Sequence, residues 1–213
     1  SDFVINYNPN VKEIHYKDKL SSRSKLLLGP NYNFILSNNK KIKTKNRKKN
    51  VLIYFGTKNR TKLIKSIILK LKKNTKYIDK IIVLTKYKFQ MKDFDIQFYF
   101  SLDRTLILKK IINADVCIIS SGIIIYETLS FGKLIYSKPI SKNQRPHFNY
   151  LFKNKKIFKI ANLKKLDLSK KIISPDQNIY FSNSKILKII FFPIKNNFGQ
   201  SIYLDFFNSS FSK

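Results

Sequence analysis

Acidic side chains and glycine are scarce in this chain, and each shortage excludes something. Of 213 residues only 12 are Asp or Glu against 43 Lys or Arg, giving a formal net charge of +31, and there are five Gly, one Cys, one Met (Met91) and no Trp. A single Cys117 rules out an intrachain disulfide, and its place in the apolar run Val116-Cys117-Ile118-Ile119 suits a small core residue better than a nucleophile. A reducing, cytoplasmic setting fits that usage. Lys interrupts nearly every apolar run, so none approaches the roughly 18 to 20 residues of a membrane span, and the first residues lack the basic-then-apolar order of a signal peptide. The two His, His15 and His147, have no Cys, His or acid at ligand spacing, so neither a metal nor a cofactor is expected, and His147 is read as a surface or helix-packing residue. Ser120-Ser121-Gly122 lacks the Gly that a hydrolase nucleophile elbow needs before its Ser, and Walker and dinucleotide fingerprints are missing.

What is present suffices for a folded core. Hydrophobic residues make up 43% and aromatics 14%, which excludes general disorder, and the length suits one α/β domain plus part of a second. The charge would ordinarily point to nucleic acid. Yet 43 basic residues less five Arg leaves 38 Lys, spread along the chain among Ile, Asn, Phe and Tyr. Readers of nucleic acid favour Arg for bidentate and stacked contacts, so no nucleic-acid partner is expected and the charge is read as a long-range attraction for anionic ligands.

The text divides in two. Residues 1 to about 36 are irregular, with short strands at Phe3 to Ile5 and Leu26 to Leu28 and a turn at Gly29-Pro30-Asn31. Residues 38 to 50 are a dense basic run without apolar periodicity, as in a solvated linker. Beyond them, short apolar runs alternate with helical-period segments, the pattern of βαβ units around a parallel sheet. Strands are predicted at Val51 to Phe55, Lys80 to Thr85, Ile96 to Phe100, Val116 to Ser120, Lys133 to Tyr136 and Ile157 to Lys159. Leu63, Ile64, Ile67, Ile68 and Leu71 form one helix face, and further helices are predicted at Arg104 to Asn113, Ile123 to Ser130 and Arg145 to Phe152. Near the end, Asn196-Asn197-Phe198-Gly199 reads as a turn and Ser201 to Phe207 as a closing helix.

Under such depletion each Gly is a candidate for backbone geometry that other residues resist; average usage would give about fifteen. Gly56 and Gly122 each follow a predicted strand. These are carboxyl ends of parallel strands, where open α/β sheets bind ligands and helix starts present free N–H groups to phosphate. One of only two Glu, Glu127, lies one turn into the helix that Ser120-Ser121-Gly122 opens. Its carboxylate there can accept from sugar hydroxyls, or simply complement the helix dipole. Asn143-Gln144 precede another helix at the same edge and offer amide groups to a ligand or caps to the backbone.

The segment from Ala114 through Ser120-Ser121-Gly122 to Tyr126-Glu127, followed by Gly132 and then Asn143-Gln144, resembles the C-terminal nucleotide-sugar-binding domain of GT-B-fold proteins. It is most similar to the UDP-sugar hydrolases of pseudaminic acid biosynthesis and their relatives that share the glycosyltransferase family 28 C-terminal domain. Ser1 to Asn6 and Leu27 to Tyr32 resemble the end of that family's N-terminal domain and its crossing into the second. The resemblance covers about residues 1 to 160. It implies a Rossmann-like parallel sheet forming the C-terminal half of a GT-B fold: residues 1–37 a remnant of the N-terminal domain and crossover, 38–50 the linker, 51–213 the UDP-sugar-binding domain. It further implies that Gly56, Thr57, Ser121, Gly122, Tyr126, Glu127, Asn143 and Gln144 line a UDP-sugar site, with diphosphate on the two loops and ribose on Glu127. The family's reaction is metal-free displacement of UDP by water, aided by a His that would lie before residue 1, so no catalytic residue is assigned and this piece is expected to bind rather than turn over. A glycosyltransferase on the same scaffold, a non-catalytic basic binding module and a scaffold keeping only the fold remain as alternatives. Where the family has Gly-Gly-Ser/Thr-Asp, this chain has Gly56-Thr57-Lys58-Asn59-Arg60, so phosphate contact there would rest on Thr57, Lys58 or Arg60. Ile123 and Ile124 replace a usual hydroxyl residue, leaving backbone N–H groups to serve.

Overall fold

The computed structural model describes residues 3–21, 24–32, 48–91, 95–166 and 168. The predicted turn at 196–199, the closing helix at 201–207, the tail from Ser174 and most of the basic linker lie outside the described residues.

Two parallel strands, β1 (Phe3–Asn6) and β2 (Lys25–Leu28), open the chain and pair with each other. Then come β3 (Lys49–Tyr54), α1 (Thr61–Lys70), β4 (Ile78–Leu84), β5 (Ile96–Tyr99), α2 (Arg104–Ile112), β6 (Val116–Ser120), α3 (Ile124–Ser130), β7 (Leu134–Lys138), α4 (Arg145–Lys153) and β8 (Phe158–Lys159). All six later strands join one parallel sheet in the order β5-β4-β3-β6-β7-β8. This is the Rossmann-like arrangement expected from the alternation of strand and helix patterns. β3 begins at Lys49, two residues inside the basic run, because Lys49 and Asn50 pair with β4 and the Asn50 N–H is held by Asp115 Oδ2 at 2.8 Å.

The strand order places the layers. The chain moves outward from β3 through β4 to β5, crosses back to β6 beside β3, and moves outward the other way through β7 to β8. Right-handed crossovers then put α1 on one face and α2, α3 and α4 on the other. The cores agree. Ile64, Ile67, Ile68 and Leu71 pack on Val51, Ile53, Ile81, Val83 and Ile118, whereas Ile107, Ile111, Ile125, Tyr126 and Leu151 pack on Leu52, Ile82, Leu84, Cys117 and Ile119. Central strands covered on both faces read as near-continuous apolar runs, and β6, buried throughout and apolar up to Ser120 at its tip, is the clearest case. Cys117 has no solvent exposure, and burial pushes its thiol up to about 12, as a packing residue rather than a nucleophile requires.

Helix starts follow local chemistry. Asp103 caps α2, its Oδ1 accepting from the Leu106 N–H at 2.9 Å, and Pro146 occupies the first turn of α4, where the lost N–H has no cost. Behind β1, the Tyr7 ring meets those of Tyr126 and His147, with centroids 6.3 and 5.7 Å away, which seats the opening segment against α3 and α4.

Candidate functional site

The strand order reverses between β3 and β6, so the crevice beyond their carboxyl ends is the topological switch point, the place where open α/β sheets take ligands. Gly56 stands just past the first tip and Ser121-Gly122 just past the second. The sequence reading therefore selected the two loops that the topology brings side by side.

The β3 tip is open. Gly56 has φ +78°, which L side chains resist, and a Cβ there would meet no atom within 4 Å. Thr57, Lys58 and Asn59 are exposed ahead of α1. The Thr61 N–H is taken by Asn59 Oδ1 at 3.0 Å, while Arg60 Nε is shielded without a hydrogen-bond partner.

The β6 tip is closed and internally bonded. Ser121 is fully buried, and its Oγ lies 2.8 Å from Ser137 Oγ, which in turn donates to the Ile119 carbonyl at 2.8 Å. A hydroxyl has one proton. Since Ser137 spends its proton on Ile119, Ser121 is the donor in their shared bond, and its side chain has no proton left for an anion. Any anion contact from Ser121 in this arrangement comes through its backbone. Gln144 Oε1 accepts from the Ile140 N–H at 3.0 Å, which turns Nε2 toward Gly122, where an added Cβ would come within 3.4 Å of it. Asn143 is exposed, its Oδ1 accepting from Ser141 Oγ.

Tyr126 and Glu127 diverge although they adjoin. The Tyr126 ring is fully buried in the α2–α3–α4 core, with its hydroxyl 2.7 Å from His147 Nδ1, so it supports the site from behind in this arrangement. Burial raises the Tyr126 phenol and lowers the His147 imidazole, each toward its neutral form. Glu127, 2% exposed, is ion-paired through Oε1 with Arg104, while Oε2 is shielded without a partner. Arg104 begins α2 just beyond the carboxyl end of β5, so the Glu127 carboxylate that it meets lies toward the carboxyl edge of the sheet. Desolvation raises the Glu127 carboxyl, and the Arg104 guanidinium opposes that rise.

Sequence reasoning did not single out Arg104 or Ser137. Arg104 carried one signal: it is one of five Arg in a Lys-dominated chain, at a helix start on a strand's carboxyl side. Ser137 carried none, because a Ser within a strand does not announce the hydroxyl it faces. Among the described residues no group of three or more His, Cys, Asp or Glu is placed to hold a metal, and no helix is long and apolar enough to cross a membrane.

No family model and no curated protein matches this chain. Among solved structures it is similar to a Listeria monocytogenes protein assigned as a UDP-N-acetylglucosamine 2-epimerase, with 14% identity and a TM-score of 0.46, covering 69% of this chain and 46% of that one. It is also similar to the glycosyltransferase SnogD from Streptomyces nogalater, with 11% identity and a TM-score of 0.41, covering 69% of this chain and 41% of that one. The chain thus spans less than half the length of either protein it matches.

Proposed function

We propose that residues 51–213 form the nucleotide-sugar-binding half of a GT-B-type protein, taking a UDP-activated amino sugar at the β3–β6 switch point. Residues 1–37 would then be the end of the partner domain with its crossover, and 38–50 the linker. The reading is supported above all by one juxtaposition: the Gly56 loop and the Gly122 loop adjoin at the sheet's carboxyl edge, with a buried carboxylate, Glu127, on that same side. A pyrophosphate would lie between the loops against backbone N–H groups, helped by Thr57, Lys58 or Arg60 and by Gln144 Nε2. Glu127 would accept from the ribose. In the whole protein a preorganised diphosphate cradle of this kind would stabilise departing UDP, with water attacking the sugar as in the pseudaminic-pathway hydrolases that the sequence resembles. A glycosyltransferase uses the same half-site, and only the attacking hydroxyl distinguishes it.

Calorimetric titration with UDP at moderate salt tests the site. Saturable binding that is lost in Glu127→Ala supports the reading. Binding indifferent to that substitution but abolished by salt would identify the net charge as its source.

A further inference from the structure

Arg104 is at the first position of α2, where a cation opposes the helix dipole, and more than half of its side chain is exposed. The helix dipole gives no reason for a cation there. What it meets is the Glu127 carboxylate, one helix over, whose side chain is 3% exposed. The pairing is selective by atom: Oε1 takes the guanidinium, and Oε2 stays shielded with no donor. Leaving a buried carboxylate oxygen unbonded is costly, and such an oxygen is satisfied cheaply by a hydroxyl brought to it.

We propose that Arg104 is a positioning residue for ligand binding: by occupying Oε1 it fixes the Glu127 carboxylate and leaves Oε2 as the one acceptor offered to a single ligand hydroxyl. This deepens the nucleotide reading and rests on it for the ligand. It makes the site a reader of one hydroxyl of a vicinal pair rather than of both. Because Oε2 is shielded, binding includes a side-chain movement that admits the hydroxyl. Arg104 is the charge acting on Glu127 among the described residues. Its neighbour Tyr126 on α3 turns to His147 of α4, and Asp103 beside Arg104 is engaged by Ser101 and the Leu106 N–H.

The chain has only two Glu, and the other, Glu13, is exposed. Carboxyl carbon resonances of labelled glutamate therefore report Glu127 directly, with Glu127→Gln giving the assignment. In Arg104→Ala the Glu127 midpoint should rise by about one pH unit, a tenfold gain in proton affinity, and Arg104→Lys should restore much of the original value. Arg104→Met, which keeps the apolar stem, gives the same reading should the Ala variant not fold. With the unaltered chain, one of 2′-deoxy-UDP and 3′-deoxy-UDP should bind about tenfold or more weakly than UDP, and the other about as well as UDP. In Arg104→Ala, UDP affinity should fall and its loss on acidification should begin at higher pH. An unmoved Glu127 midpoint, equal losses for both deoxy analogues, or tighter UDP binding in Arg104→Ala would overturn the proposal. Absence of UDP binding by the unaltered chain, with the midpoint shifted as expected in Arg104→Ala, would instead overturn the nucleotide reading.

Discussion

The two tips that flank the crevice are built on opposite plans. Beyond β3 the chain is exposed and loosely bonded: a left-handed Gly56 with empty space where a Cβ would go, then Thr57, Lys58 and Asn59 in solvent. Around the ends of β6 and β7 the polar side chains are bonded inward, although Ile123 is exposed: Ser121 to Ser137, Gln144 to Ile140, Tyr126 to His147, Glu127 to Arg104. An outer strand follows each central one, but at the second pair Ser121, just past β6, faces Ser137 of β7, and the bond between their hydroxyls closes that tip. Polar residues at a strand's carboxyl end thus have two fates. On the open tip they are available to a ligand but weakly fixed; on the closed tip they are fixed, and what they offer is mostly backbone.

Substitutions can break this contrast, the largest effect being expected at the closed tip. Ser137→Ala removes the bond to Ile119 and strands the buried Ser121 hydroxyl, for a loss of about 1–3 kcal/mol in denaturant unfolding. Ser121→Ala should cost less, because Ser137 keeps its bond to the carbonyl. The reverse ranking would show that Ser121 does not donate to Ser137. Next in size is Gly→Ala at each tip. At Gly56 the positive φ makes the change cost about 1–2 kcal/mol although nothing touches the new Cβ. At Gly122, outside the left-handed region with its nearest contact at 3.4 Å, the same change should stabilise by about 0.4–1 kcal/mol. Equal signs would erase the distinction between a glycine the fold needs for its conformation and one the fold does not need.

The closed side should also carry a pH response. Burial holds His147 below its ordinary pKa, so the unfolded chain binds more protons as pH falls through the mid-6 range. Its contribution is fully present above the unfolded pKa and is lost as pH falls toward the folded one. The unfolding midpoint of the unaltered chain should therefore fall between pH 7 and 5 by more than that of His147→Gln. An identical pH profile in the variant would remove His147 from the network.

The fold was legible because β6 and its neighbours are buried on both faces and so read as continuous apolar runs, while Ile64, Ile67 and Ile68 keep helical spacing. Gly56 and Gly122 were legible because glycine is rare enough here for each to carry information. The partners were not. Glu127 could be placed on its helix from sequence, but its carboxylate meets a side chain 23 positions away, and Ser121 meets one 16 away. Both contacts depend on strand order and crossover hand rather than on any local pattern. Tyr126 shows the same limit: the family resemblance set it with Glu127 among the site residues, while the burial of its ring and its bond to His147 on α4 depend on the packing of the two helices.

The smallest stability change belongs to the open tip, and it is the most telling for function. Thr57→Ala and Lys58→Ala remove exposed side chains ahead of α1, so each should alter stability by no more than about 0.5 kcal/mol. If the open tip is open because a diphosphate completes it, these same substitutions should weaken UDP binding several-fold. The Lys58 effect should shrink at high salt, and the Thr57 effect, which comes from a neutral donor, should not. Removing a Lys of comparable exposure away from the crevice, such as Lys73 just past the far end of α1, supplies the control for bulk charge. Should Lys73→Ala and Lys58→Ala weaken UDP equally, the excess of basic residues and not the strand tip is what the nucleotide feels, and the open tip is then only a turn.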